Sequence, residues 1–249
     1  MSKCGIFDSG IGGLSVASSI LKAKLFDEII YYGDTARVPY GNKNESTIIR
    51  YSLEAMEFLK NFDIDFLVVA CNTASATAVE ELKKEASFPV VGVIEAGVKA
   101  LENKNRNSNI LLIGTKRTVS SGKYEKLLKK KGFKNITSIA TSLFVPLVEE
   151  GITDGKIVND VFELYFKNID REKIDIVILG CTHYPFLSYS LQKYFPNAKL
   201  IHSGQAIVEL LKNEYNLTPK KSSSINLLAS DDPEGLRNKA KEWLDIINE

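Results

Sequence analysis

The sequence predicts an α/β protein of two pseudo-symmetric α/β domains, with mostly parallel sheets and the active site in the cleft between them. Three observations predict this. Short apolar runs alternate with helical patterns along the 249 residues, as strand–crossover–strand units require. The chain also repeats its own organisation: "GIFDSG" near the start resembles "LLIGTK" at 111–116, and "VVACNTASA" at 68–76 resembles "VILGCTHYP" at 177–185. The two pairs share nearly the same spacing, roughly 106 residues from Ser9 to Thr115 and roughly 110 from Cys71 to Cys181, which marks two related halves. Finally, apolar strands end on abrupt polar clusters, and open parallel sheets bind ligands beyond the C-terminal ends of their strands.

The strands are read at Cys4–Phe7, Ile29–Tyr32, Phe66–Ala70, Val90–Val93, Ile110–Ile113, Ile136–Ala140, Ile174–Leu179, Lys199–Ile201 and Ile225–Leu228. Most are too short for helices and several are rich in β-branched residues. Helical patterns lie between them at Ser46–Lys60, Ala74–Glu85, Tyr124–Lys130 and Asp154–Phe166. The last helix, Pro233–Ile247, sets Leu236, Ala240, Trp243, Leu244 and Ile247 along one stripe. The first half closes after "VVGVIEAG", around residue 95. A polar loop, "TPKKSSS" at 218–224, precedes the last elements and lets them fold back onto the first half.

Composition narrows the function. Apolar residues make up 44% of the chain, enough for a sizeable core, and 32 basic against 31 acidic residues leave a net charge of +1. That balance argues against a nucleic-acid or membrane-surface partner. The basic run "KLLKKKGFK" at 126–134 reads as a solvated helix face and its end. No apolar run approaches the ~18 residues of a membrane-spanning helix, and "MSKCGIFDSG" lacks a secretory apolar core. Three cysteines, Cys4, Cys71 and Cys181, with no Cys-x-x-Cys pair or Cys/His cluster, offer no metal site. Free thiols fit a reducing cytoplasm.

Four clusters follow strands. In "DSGIGGLSV" at 8–16, Gly10, Gly12 and Gly13 permit a tight turn and close ligand approach, with Asp8 and Ser9 pointing where ligands bind. The run is not G-x-G-x-x-G, so a bare glycine turn is an equal reading. "GDTARVPYG" at 33–41 reads first as an ordinary connection, although such a loop can wrap a small ligand. Cys71 and Cys181 each end a strand before an expected helix start, where the dipole and free amides favour a thiolate. A lone cysteine is usually a small buried hydrophobe, but two in matching settings, flanked by Asn72–Thr73 and Thr182–His183, read as a paired site. Cys4 lies within the first strand and reads as core. His183 can orient a substrate or relay a proton. His202 ends a later strand and reads as structural, and Glu149 and Glu150 read as surface carboxylates before a turn.

Two thiols facing one bound carbon can invert it. One, as thiolate, removes a proton; the other, as thiol, returns one to the opposite face. Donors must hold the substrate carboxylate as its charge grows, a task for Asn72, Thr73, Thr182 and helix amides. Two readings from other classes share these residues. A phosphate- or nucleotide-binding module built on "DSGIGG" would not need the thiols, and a thiol hydrolase built on Cys181 and His183 would not need Cys71.

In "GIFDSGIGGLSV", "YYGDTARVPYG", "VVACNTASA", "VVGVIEAG", "FVPLVEEG" and "LGCTHYP" the chain resembles the glutamate racemases of the cofactor-independent aspartate/glutamate racemase superfamily. These stretches span residues 5 to 185 in family order, and "LFDEIIYYGD" and "ATSLFVPLVEE" are most similar to epsilon-proteobacterial members. The resemblance implies interconversion of L- and D-glutamate for peptidoglycan synthesis, with no pyridoxal phosphate and no metal. A racemase for aspartate or another amino acid is the alternative. It implies Cys71 and Cys181 as catalytic acid/bases, Cys71 acting on D-glutamate and Cys181 on the L form. Asp8 and His183 would assist the two thiols, with Glu149 on the Cys181 side. Ser9, Tyr40, Gly41, Asn72, Thr73, Thr115, Thr118 and Thr182 would hold the substrate. It further implies that residues 1–95 and 209–249 form one domain and 96–208 the other, and that two copies pair as a homodimer.

Overall fold

The computed structural model describes residues 2–246. Among them, nine strands form: β1 (Lys3–Asp8), β2 (Glu28–Gly33), β3 (Phe66–Val69), β4 (Val90–Gly92), β5 (Ile110–Gly114), β6 (Ile136–Ala140), β7 (Ile176–Gly180), β8 (Lys199–Ile201) and β9 (Ser224–Ala229). They build a five-stranded sheet in the order β4-β3-β1-β2-β9 and a four-stranded sheet in the order β6-β5-β7-β8, every neighbouring pair parallel. Mapping β1–β4 onto β5–β8 in chain order converts the run β4-β3-β1-β2 into β8-β7-β5-β6, which is the second sheet read from its far edge. The repeat read from sequence is thus a repeat of topology. The first sheet adds β9 beside β2.

The inner strands β3, β5 and β7 are buried along their whole length, and β1 along all but Lys3. Helices cover both of their faces, so they read as unbroken apolar runs rather than alternating ones. The edge strands β6 and β9 are half-exposed. The crossovers are helices α1 (Leu14–Ala23), α2 (Glu45–Lys60), α3 (Asn72–Thr77), α4 (Val79–Glu85), α5 (Val93–Lys99), α6 (Lys116–Ser120), α7 (Lys123–Lys130), α8 (Phe144–Glu149), α9 (Lys156–Phe166), α10 (Ser188–Tyr194), α11 (Ser203–Glu214) and α12 (Pro233–Ile246). One apolar cluster runs through both halves, joining Ile6, Val68 and Ala17 to Leu111, Val177 and Leu211. Separate clusters fill the outer face of each sheet. In α12, Leu236, Ala240 and Trp243 are buried and Leu244 packs against the same cluster, as the stripe requires. Ile247 lies outside the described residues.

Several boundaries differ from those read in the sequence. The helix expected over Ala74–Glu85 is two helices, bent at Ala78, while the bonds Ala78 N–H to Ala74 and Leu82 N–H to Ala78 carry the ladder through the bend. Val93 opens α5 rather than ending a strand, and Ile174 follows a 3-10 turn at Arg171–Lys173, leaving β7 to begin at Ile176. The basic run at 126–134 is a solvated face, as read, with Lys129 near Glu125 and Lys131 bonded to Glu102.

Candidate functional site

Parallel pairing brings the strand ends level. Phe7 pairs with Val69, and the Ala70 amide donates to the Phe7 carbonyl at 2.8 Å, so the residues after β1 and β3 emerge side by side. In the second sheet Gly114 pairs with Gly180, which sets Thr115 level with Cys181. The two sets of ends meet at one cavity of about 260 Å³. Cys71 and Cys181 both line it, one from each sheet, and both side chains are buried at the cavity wall.

Around Cys71 the contacts are short and local. Its thiol donates to Ser9 Oγ at 3.3 Å, and the Ala74 amide at the start of α3 donates to its sulfur at 3.5 Å. The helix start therefore does touch the sulfur, as the sequence suggested. It does not make the resting group a thiolate. Burial, followed by the charge of Asp8, pushes the Cys71 pKa up to about 12 against those two bonds. Asp8 itself is fully buried behind the cavity wall rather than lining it. It accepts from the Gly10 amide at 3.0 Å and from Thr182 Oγ1 at 3.4 Å. Burial raises its pKa, and the positive charge of His183 together with those bonds opposes the rise.

Cys181 is placed differently from its counterpart. No α-helix starts after it; β7 gives way to a bend and then a 3-10 turn at Tyr184–Leu187. Pro185 near the head of that turn and the short run before Ser188 leave room for only one tight turn. What stands beside this sulfur is His183, whose Nδ1 is 3.8 Å away and whose Nε2 is 3.2 Å from Glu149 Oε1. Burial pulls the His183 pKa down, but bonds to Cys181 and Glu149 outweigh it and hold the group at about 10. Glu149 is thus more than the surface carboxylate its sequence setting suggests: α8 delivers it to the cavity edge.

The polar wall between the thiols is a hydroxyl cluster. Thr73 Oγ1 lies 2.9 Å from Thr115 Oγ1, and Thr115 Oγ1 lies 3.0 Å from Thr118 Oγ1. Thr73 and Thr115 face the cavity; Thr118 is buried behind them and does not line it. Asn72 is fixed from both ends, its Oδ1 accepting from Tyr124 OH at 2.8 Å and its Nδ2 donating to Ser203 Oγ at 3.3 Å. Thr182 lines the cavity, and its carbonyl accepts from Ser15 Oγ at 2.8 Å, tying the second half to α1.

The loop after β2 is not the ordinary connection that pattern favoured. Val38, Pro39, Tyr40, Gly41 and Asn42 all line the cavity. Asp34, fully buried, holds it there by accepting from Tyr40 OH at 2.5 Å, Arg37 Nε at 2.7 Å and Ser230 Oγ at 2.9 Å. Gly41 approaches Thr115 so closely that a Cβ would crowd its side chain. Sequence reasoning also missed Ser142, Val145 and Pro146, which line the cavity from the region of β6 and α8. The repeat held a signal for Ser142, since it follows β6 as the Asp34 loop follows β2. Cys4 is buried core, and His202 ends β8 away from this cavity, both as read. Among the described residues no group of His, Cys, Asp and Glu could hold a metal ion, and no helix is long and apolar enough to cross a membrane.

The chain is similar to known proteins along nearly its whole length. A model of the family described as Asp/Glu/Hydantoin racemase matches residues 17–211. The chain is 54% identical over 246 residues to a glutamate racemase of a Nitratiruptor species, covering 97% of this chain and 96% of that protein. It superposes on the crystal structure of a glutamate racemase from Campylobacter jejuni with a TM-score of 0.95 at 53% identity, covering 98% of each chain. On a Francisella tularensis glutamate racemase in complex with D-glutamate the TM-score is 0.86 at 34% identity, covering 98% of this chain and 94% of that one.

Proposed function

The chain belongs to the Asp/Glu/Hydantoin racemase family, and from that premise we propose how it inverts its substrate. Its activity is glutamate racemisation, an isomerase reaction that interconverts the L and D enantiomers. Cys71 and Cys181 stand on opposite sides of the bound Cα. For D-glutamate, Cys71 as thiolate takes the Cα proton and becomes a thiol, while the Cys181 thiol gives its proton to the opposite face and becomes a thiolate. For L-glutamate the roles exchange. The observation that carries this reading is that the two sulfurs, from corresponding strand ends of two sheets, line one small cavity.

The surrounding groups divide the work. Removing a proton from Cα spreads negative charge onto the α-carboxylate, and donors already in place stabilise it without reorganising. Ser9, Asn72, Thr73, Thr115 and Thr182 serve there, with Tyr40 and Gly41 forming the wall and Thr118 fixing the hydroxyl cluster from behind. Asp8 keeps Cys71 a strong base once ionised, because its charge disfavours the thiolate. The substrate ammonium offsets that cost on arrival. His183, positively charged and anchored by Glu149, turns Nδ1 toward the Cys181 sulfur and donates to it. No cofactor takes part; the acid/base pair suffices for the proton exchange.

Residues 1–95 with 209–249 make up one domain and 96–208 the other, with the boundaries falling within α5 and α11; the pairing of β9 with β2 supports the return of the chain to the first half. The enzyme works in the cytoplasm as a homodimer and supplies D-glutamate for peptidoglycan. In deuterated water, each enantiomer should gain deuterium at Cα as it racemises, and Cys71→Ser and Cys181→Ser should each lose most turnover. Full racemisation by either single variant would overturn the two-base scheme.

A further inference from the structure

The catalytic cavity opens onto a second hollow of about 330 Å³, lined by Gly41, Asn42, Lys43, Lys116, Arg117 and Ser120. Gly41, Asn42 and Lys116 belong to both walls, so the two spaces are contiguous. Three of the six residues lining the outer hollow are cations and none is acidic. Among the described residues none of the three cations forms a salt bridge, so no carboxylate of the protein neutralises them. Arg117 Nε donates to the Lys43 carbonyl at 3.2 Å, joining the loop after β2 to α6 across the cleft. Lys43 Nζ rests 5.9 Å over the Tyr51 ring rather than on a carboxylate.

The balance of charge gives this placement a role. The inner site contains Asp8 and Glu149, and its substrate carries two carboxylates and one ammonium. Asp8 and Glu149 offset the charges of His183 and Lys116, so a net anion meets no excess of positive charge there to compensate its lost hydration. Uncompensated cations at the approach lower that barrier, since a cleft lined by one sign of charge raises the local concentration of the opposite one. We propose that Lys43, Lys116 and Arg117 form an outer anion subsite that captures the carboxylates of the amino-dicarboxylate substrate and passes it inward. This rests on the racemase reading of the inner cavity.

The test is a salt titration of kinetics on the full chain. Lys43→Gln and Arg117→Gln, which lie outside the inner cavity, are compared with wild type for D- and L-glutamate across about 20 to 500 mM KCl. Each lost charge should raise KM about two- to threefold at low salt, from Coulomb attraction across several ångströms of water, with kcat held within about twofold. The dependence of kcat/KM on salt should flatten, most in the double variant, and wild type and variants should converge at high salt. Arg117→Lys, which keeps the charge and alters the bond to the Lys43 carbonyl, should behave as wild type. Unchanged KM and unchanged salt dependence in the double variant would overturn the subsite. So would a fall in kcat at constant KM, or Arg117→Lys matching Arg117→Gln, which would mark a structural latch. Were wild type to racemise neither enantiomer, the inner reading would fail by itself. Calorimetric binding of D-glutamate to wild type and double variant at low and high KCl would then decide the subsite alone.

Discussion

The protonation of Cys71 in the empty enzyme gives the sharpest test of the site's electrostatics. An ordinary thiol of this class ionises at 9.0, and here burial and the Asp8 charge push it up to about 12. That shift is about 4 kcal/mol, or about a thousandfold smaller thiolate population at any pH below both values. The residue is only 5% exposed, so solvent screening erodes little of it. Iodoacetamide reacts with the thiolate alone, and the cavity gives it access. Alkylation of the peptide carrying Cys71, followed by mass spectrometry, should therefore rise about tenfold per pH unit from about pH 7 to about pH 10 without levelling. Cys4, fully buried within β1, is the internal reference and should stay unmodified while the fold is intact. Asp8→Asn removes the neighbouring charge and should speed modification of Cys71 at each pH. A plateau near pH 9 or below in wild type, or no acceleration in Asp8→Asn, would refute the claim that burial and Asp8 hold the proton on this sulfur.

Three further outcomes follow from contacts elsewhere in the site. His183 is held near 10 against an ordinary 6.5 by Cys181 and Glu149, so its stabilising effect is complete below about pH 6.5 and vanishes as pH rises through about 10. The gap in Tm between wild type and His183→Asn should narrow steadily across that window; a gap independent of pH would contradict the assignment. Tyr124→Phe leaves Asn72 Oδ1 buried with its 2.8 Å donor gone, and should lower unfolding free energy by about 1–3 kcal/mol in urea melts. Gly12→Ala would drive a Cβ into the His183 ring and the Thr182 hydroxyl. It should cost about 1–3 kcal/mol of stability and lower kcat more than it raises KM, read from melts and steady-state kinetics.

The parts legible in the sequence were those whose physics is local. β3, β5 and β7 are buried on both faces, so their apolar runs stood out without alignment, and the polar residue after each strand end was conspicuous by contrast. α12 announced itself through Leu236, Ala240 and Trp243, because apolar residues at helical spacing in a polar stretch mark the buried face of an amphipathic helix. What stayed hidden depends on distant partners. The loop at 33–41 reads as a connection until Asp34 is seen buried among Tyr40, Arg37 and Ser230, the last from a strand end nearly two hundred residues away. Glu149 looks like a surface acid until α8 sets it against His183. α6 and α8 have five and six residues, too few for a periodic pattern to emerge from noise.

Under the proposed two-base scheme, the duplicated scaffold calls for unlike neighbours around like sulfurs. Matching strand order brings two thiols to equivalent positions, and symmetry alone would give them equal tendencies to lose a proton. A two-base inversion requires the opposite: one sulfur charged and one protonated whenever substrate is bound. The structure breaks the equivalence through the residues that stand beside each sulfur. Where the first half puts the anionic Asp8 behind its thiol, the second half has Gly114 at the corresponding strand end and so no carboxylate there. Where the second half puts a protonated imidazole two residues past its cysteine, the first half has Thr73. An acid raises the cost of charge on Cys71, whereas a protonated imidazole stands beside Cys181. Exchanging these neighbours should change which enantiomer meets the ready base, whereas exchanging the sulfurs alone would change nothing.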